Sequence, residues 1–174
     1  MSNIDGAAMP DGWQRLWAPH RLEYLRGENR PLEGNEVECP FCRIPNLSDE
    51  EGLIVHRGKS AFVVMNLYPY NPGHLLVCAF RHVADLTDLS DEERHEITDL
   101  SAHAMKVIRK VSKADGFNLG MNQGAISGAG VADHIHQHIV PRWSGDANFM
   151  PIIGKTKVLP QLLTTTREEL AAAW

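Results

Sequence analysis

Apolar positions along this chain repeat with two different periods, and the change between them marks out its elements. Residues 53–56 and 61–65 are short apolar runs joined by Arg57-Gly58-Lys59, a pattern of two strands and a turn. Residues 66–73, with prolines at 69 and 72, read as a stiff loop leading into a third strand over 74–80. The period then lengthens. Ser90-Asp91-Glu92-Glu93 is a capping box, and behind it Ile97, Leu100, Ala104, Val107 and Val111 share one helical face, with Gly116 as the stop. Residues 117–121 give a fourth strand, and a Gly/Ser-rich loop at 124–130 delivers the chain to a fifth. That fifth strand alternates His134, His136 and His138 with Ile135, Gln137 and Ile139, so its imidazoles share one face. Residues 160–173 close the chain as a helix. Hairpin-joined strands around one long helix predict an α+β fold with an antiparallel sheet of about five strands.

Upstream of the first strand the pattern is different. Residues 1–12 are small and polar. Trp13, Leu16, Trp17, Leu22, Tyr24 and Leu25 then form an aromatic-rich arm interrupted at Pro19, and 26–38 is a polar loop. This divides the chain into an N-terminal arm, 1–38, and one domain, 39–174. A net charge of −5 speaks against nonspecific binding to nucleic acid or an anionic membrane. Leu75-Leu76-Val77-Cys78-Ala79-Phe80, one of the most apolar stretches, is far too short to span a bilayer. Three cysteines, two of them in Cys39-Pro40-Phe41-Cys42, suit a reducing compartment, and the cytoplasm is expected.

Chemistry concentrates on the fifth strand. Alternate residues of a strand lie ~7 Å apart, so His134, His136 and His138 place three groups that titrate near neutrality side by side. Imidazoles so placed can attack phosphorus, pass protons or bind a metal that activates water. The Cys-x-x-Cys spacing lets one turn present two thiolates to one metal, and it fits two small buried cysteines equally well. Gly128-Ala129-Gly130 is not a dinucleotide fingerprint. Its third glycine position is Asp133, and a strand follows where a helix is required.

The run His134-Ile135-His136-Gln137-His138-Ile139-Val140 resembles the signature of the histidine triad superfamily. Asn66, Pro72-Gly73-His74 and Asn122-Gln123-Gly124 fall where that family carries its nucleotide-contacting segments. Leu16-Trp17-Ala18-Pro19, the run from Pro141 to Phe149 and Leu159-Pro160-Gln161-Leu162-Leu163 resemble its actinobacterial diadenosine-polyphosphate phosphorylase branch. The resemblance implies that His136 attacks the α-phosphate, that the His134 carbonyl holds its tautomer, and that His138 hydrogen-bonds the phosphate. It implies phosphate contacts from Asn122, Ser127, Gly128 and Gly130, and His74 as a partner in the pocket; Asn66, at the end of a strand, fits both a ribose or base contact and a turn cap. Trp143 either stacks on adenine or packs in the core. Cysteine-bearing bacterial members of the family complete a structural zinc site with two histidines, here His82 and His134, beside Cys39 and Cys42. Two sulfurs and two imidazoles close a tetrahedral set, leaving no open position for catalysis.

The function so implied is cleavage of dinucleoside polyphosphates through a nucleotidyl-histidine, with phosphate as acceptor, no organic cofactor, adenosine nucleotides as ligands and a homodimer as the assembly. Hydrolysis of dinucleoside polyphosphates or nucleoside phosphoramidates by the same His136 is the alternative. A catalytic zinc on the three histidines competes poorly with the better ligand set at Cys39 and Cys42. A regulatory nucleotide-binding protein needs no nucleophile, and the intact triad argues against it. Gln137 departs from the apolar residue usual at its position. His95 and His103 lie off the helix stripe and are expected in solvent, His20 and His56 have no evident partner, and Cys78 is expected in the core.

Overall fold

The strands pair as a succession of hairpins in the computed structural model, which describes residues 39–146 and 159–174. Strands β1 (Ile54–Arg57), β2 (Ala61–Met65), β3 (Leu75–Ala79), β4 (Gly116–Met121) and β5 (His136–Arg142) form one sheet in the order β1-β2-β3-β5-β4. Every neighbouring pair is antiparallel. The α+β architecture with five strands is therefore the one expected from the pattern. β5 lies inside the sheet, with Cys78 opposite His136 and Leu76 opposite His138 on one side, and Gly120 opposite His138 on the other.

Among the described residues three α-helices accompany the sheet: the single turn α1 (Pro40–Arg43), the long α2 (Asp91–Ser112) and the C-terminal α3 (Leu163–Ala172). The capping box of α2 is complete. Ser90 Oγ accepts from the Glu93 amide at 3.2 Å, and the Glu93 carboxylate accepts from the Ser90 amide at 2.8 Å. Its other end differs from expectation. Lys113, not Gly116, terminates the helix in the left-handed conformation (φ 54°, ψ 40°), and its amide donates to the Arg109 carbonyl at 3.1 Å. Gly116 instead opens β4. α3 begins at Leu163 rather than near Pro160, because Leu162 is still extended (φ −67°, ψ 147°).

One face of the sheet carries the main core. Ile97, Leu100, Ala104, Val107 and Ile108 of α2 pack on Val63, Val77, Ile135 and Ile139, and Leu170 of α3 joins them. Each buried aliphatic side chain contributes roughly 1.5–3 kcal/mol, so this stripe rather than helix propensity holds α2 on the sheet. The opposite face carries a smaller cluster, Phe41, Phe62, Val64, Leu76 and Cys78, covered by α1. The histidines emerge beside it. The N-terminal arm, with Trp13, Trp17 and His20, and the flank at 147–149 lie outside the described residues. Among the described residues no helix is long and apolar enough to cross a membrane.

Candidate active site

β5 works because its two faces have opposite tasks. Ile139 is fully buried against α2, while His136 and His138 point to the other side, where their ring centroids are 4.9 Å apart. That is closer than the ~7 Å backbone repeat because the two rings lean together. The strand is shorter than expected at its start: the ladder begins at His136, and His134 precedes it. The Ile135 amide donates to the Val83 carbonyl at 2.7 Å. Gln137 is half-buried on the helix-facing side and donates to the His138 carbonyl at 3.0 Å.

Hydrogen bonds to groups of fixed polarity assign the imidazole protons. The His134 carbonyl can only accept, so His136 Nδ1, 2.8 Å away, carries a proton and Nε2 holds the lone pair. Burial pushes the His136 pKa down, partly offset by that hydrogen bond, so the ring is held neutral. The Tyr70 amide donates to His74 Nδ1 at 3.0 Å, and the Asn66 amide lies 3.2 Å from the same atom. The His74 proton is therefore on Nε2, which donates to His138 Nδ1 at 3.0 Å. A neutral His138 then presents its own proton on Nε2. A lone pair on His136 and an N–H on His138 stand side by side.

His134 belongs to a second cluster. Its Nε2–H donates to the Ala79 carbonyl at 2.9 Å, which leaves the Nδ1 lone pair facing Cys39 Sγ at 3.5 Å and Cys42 Sγ at 3.6 Å. His82 Nδ1 lies 3.2 Å from Cys42 Sγ, and the four ligand atoms lie within 4.8 Å of one another. Ligand atoms on a tetrahedron of Zn–S and Zn–N bonds are separated by roughly 3.5 Å, so this set could hold one metal ion. The Ala79 carbonyl behind His134 is the kind of partner that fixes a ligating imidazole. Burial lowers the His134 pKa, the Ala79 bond opposes this, and His82 and His136 add to the lowering, so it is neutral as a ligand must be.

The remaining expected residues divide. His74 is fully buried, with its Nε2 3.0 Å from His138 Nδ1. The Asn66 side chain is engaged by its own loop, with Oδ1 accepting from the Tyr68 amide at 3.0 Å. Asn122 follows β4 directly, half-buried, and Gly128 adopts φ 83°, a conformation that glycine favours. Gly130 is exposed in the same loop. Ser127 spans its own turn, its hydroxyl donating to the Gly124 carbonyl at 2.7 Å rather than outward. Trp143 falls on the helix-facing side by strand parity, packs against the main core and donates to the Ser112 carbonyl at 3.0 Å. Of its two readings, packing is the one the geometry carries. Cys78 is fully buried opposite His136, and burial, with Cys39 nearby, raises its thiol pKa.

Two aromatic contacts were not legible beforehand. The Tyr70 ring stacks on His138, with centroids 5.6 Å apart, and Phe41 lies 4.8 Å from the His136 ring. Asn71, also unmarked by any motif, is buried and donates to the Pro141 carbonyl at 2.9 Å and to Asp146 at 2.8 Å. Asp146 also holds Arg142 in a two-point ion pair, which keeps its carboxyl far below the usual range and ties the 66–74 loop to the end of β5. His56 does have a partner: it stacks on Trp174 at 4.7 Å, and His103, though exposed, rests 4.8 Å from the same ring.

A sheet carrying paired imidazoles beside a cysteine–imidazole cluster defines a class. Residues 49–145 match the HIT domain model, and the chain belongs to the HIT domain family. It is 49% identical over 172 residues to the AP-4-A phosphorylase of Mycobacterium tuberculosis, covering 97% of this chain and 88% of that protein. A histidine triad nucleotide-binding protein from Sulfolobus tokodaii superposes with a TM-score of 0.64 at 26% identity, over 78% of this chain and 91% of the other. A Zn-bound histidine triad family protein from Mycobacterium smegmatis superposes with a TM-score of 0.62 at 26% identity, over 78% of this chain and 92% of the other.

Proposed function

We propose that this chain is a nucleotidyl transferase that cleaves diadenosine tetraphosphate and related dinucleoside polyphosphates, with inorganic phosphate as acceptor. The observation that carries the reading is the proton arrangement of the two central imidazoles. His136 Nδ1–H is anchored on the His134 carbonyl, so Nε2 is the nucleophile. It attacks the α-phosphorus, the bond to the bridging oxygen breaks, and ATP leaves while AMP stays on His136. His138 Nε2–H hydrogen-bonds the phosphate and stabilises the charge that develops there. The chain of Tyr70 amide, His74 and His138 fixes which nitrogen of His138 carries that proton. Phosphate then attacks the same phosphorus from the side ATP vacated, releasing ADP and restoring neutral His136.

Water competes at that second step, so a phosphorylase must place phosphate in line and keep water poorly aligned. Asn122, the amides of Gly128 and Gly130, and a re-aimed Ser127 hydroxyl are the donors for the phosphates. Likeness to the mycobacterial phosphorylase supports phosphate over water.

Cys39, Cys42, His82 and His134 are assigned to a structural zinc, which would pin α1 to the sheet and supply no reacting group. A reduced thiol pair suits the cytoplasm. Residues 39–174 are taken as one domain with 1–38 as an arm, and the exposed β4 edge as the place where a second copy would pair.

The test is incubation with diadenosine tetraphosphate, with and without millimolar phosphate, followed by product chromatography. ADP and ATP in the presence of phosphate are expected, and His136→Ala abolishes turnover in a folded protein. Products and rates indifferent to phosphate would make water the acceptor. Near-normal turnover by folded His136→Ala would remove His136 from the chemistry.

A further inference from the structure

The turn that carries the thiol pair touches more than the metal cluster. α1 and the residue before it read Cys39-Pro40-Phe41-Cys42-Arg43, and the two sulfurs bracket a phenylalanine that is buried. The Phe41 ring lies 5.5 Å from the His134 ring in an edge contact and 4.8 Å from the His136 ring in a tilted one. It therefore walls one side of the imidazole assigned as nucleophile. His134 makes a second link between the same two places. Its ring faces both sulfurs, while its carbonyl accepts the His136 Nδ1 proton. The turn itself is four helical residues capped by no side chain; apart from the sulfurs it is held by Phe41, packed with Phe62, Val64, Leu76 and Cys78, and by Asn46, which donates to the Cys42 carbonyl at 3.2 Å. Its backbone bonds are short-range, from the Cys42 and Arg43 amides to the Cys39 carbonyl. A helix this short has negligible stability of its own, so its place on the sheet is set by what its side chains grip.

We propose that Phe41 is a positioning residue for His136, and that ligation of the flanking Cys39 and Cys42 sets where Phe41 stands. The thiolate pair, gripped at one point with His82 and His134, fixes the turn against the sheet. The fixed turn presses the Phe41 ring on His136, and the fixed His134 keeps its carbonyl on His136 Nδ1. Both constraints keep Nε2 open and aimed. Release of the thiol pair relaxes both together, so the cluster is coupled to nucleophile geometry although no ligand atom enters the reaction. This rests on the assignment of His136 as nucleophile, but its direct readout is independent of turnover.

The experiment is nitrogen-15 NMR of the histidine rings, without nucleotide, on zinc-loaded protein, on chelator-stripped protein and on zinc-loaded Phe41→Ala and Phe41→Leu. Assignment uses His136→Gln. Loaded wild type should show His136 as a single tautomer protonated at Nδ1. Stripped wild type and loaded Phe41→Ala should show mixed tautomers, and Phe41→Leu, which keeps bulk at the wall, should recover most of the single form. Circular dichroism confirms that each sample is folded, and if Phe41→Ala fails to fold, a mixed state in the stripped protein carries the test. In parallel, formation of the nucleotidyl adduct by Phe41→Ala should slow by roughly 10²-fold, the scale of a misplaced reacting group, with recovery in Phe41→Leu. A single Nδ1-protonated His136 in both stripped wild type and Phe41→Ala overturns the coupling. Absence of any adduct on His136 in the wild type, with the tautomer shifts present, overturns the nucleophile assignment and leaves the coupling standing.

Discussion

Replacing His74 with phenylalanine isolates the proton arrangement from the shape of the pocket. His74 is fully buried, and its ring contacts Tyr70 at 4.7 Å and His138 at 5.1 Å between centroids, which a phenyl ring of similar size can keep. The hydrogen bonds cannot be kept. Tyr70 N–H loses the acceptor 3.0 Å away, and His138 Nδ1 loses the donor at 3.0 Å. A buried polar group left unmade costs about 1–3 kcal/mol, so two such groups cost about 2–6 kcal/mol. For a chain of this size that lowers the Tm by roughly 4–24 °C, measurable by calorimetry. The functional effect has another origin. Without His74 the His138 proton is free to sit on Nδ1, which removes the donor from Nε2. Positioned proton donors contribute 10²–10⁴-fold, and a ring still present but unlocked should lose on the order of 10²-fold in kcat. Single-turnover release of ATP from diadenosine tetraphosphate measures this below the melting range, with nucleotide affinity followed separately. A folded His74→Phe protein within about threefold of the wild-type rate would refute the assignment of His138 as an oriented donor.

Ser90→Ala removes the cap of α2 at a distance from the histidines and should cost about 1 kcal/mol, a 2–4 °C loss in Tm, with kcat unchanged. Cys39→Ser combined with Cys42→Ser should reduce the metal content from about one zinc per chain to none by elemental analysis. Its loss in Tm should exceed that of Ser90→Ala, and an unchanged zinc content would remove the cluster. His56 has its pKa lowered by burial and by His103, against an opposing effect of Glu96, so the unfolded chain binds more protons once the pH falls below about 6.5. Stability should therefore fall on acidification from pH 7 to 5, with His134 and His136 acting in the same sense. His56→Gln should flatten that slope in pH-dependent melting, and an unchanged slope would show that His56 does not contribute.

What the sequence disclosed follows from which features are periodic. Alternation on β5 and the 3.6-residue stripe of α2 are local, so sheet face, helix face and the Ser90–Glu93 box could be read directly. Residues 39, 42, 82 and 134 came together because the spacing of a thiol pair and a family likeness each restrict the answer. Trp143 shows the opposite case: its place next to the triad in sequence left pocket and core both open, and odd parity just beyond β5 puts it on the helix-facing side, half-buried against the main core. Tyr70 and Asn71 act through a backbone amide and a side-chain amide inside a loop, where no period exists to expose them. Lys113 took the left-handed position that Gly116 was expected to fill, since the chain must turn before the β4 ladder begins.

β5 is hydrogen-bonded on both sides, whereas among the described residues β1 and β4 are edges and the 124–130 segment has one internal turn. Amide exchange at 136–142 should therefore require opening of the whole sheet, while amides of the 124–130 loop exchange through local fluctuation. The nitrogen proposed as nucleophile thus rides on the part of the molecule that opens last, and the proposed phosphate donors ride on a part that opens early. Substrates of different polyphosphate length can then be accommodated by loop motion alone, without disturbing the atom that forms the covalent bond.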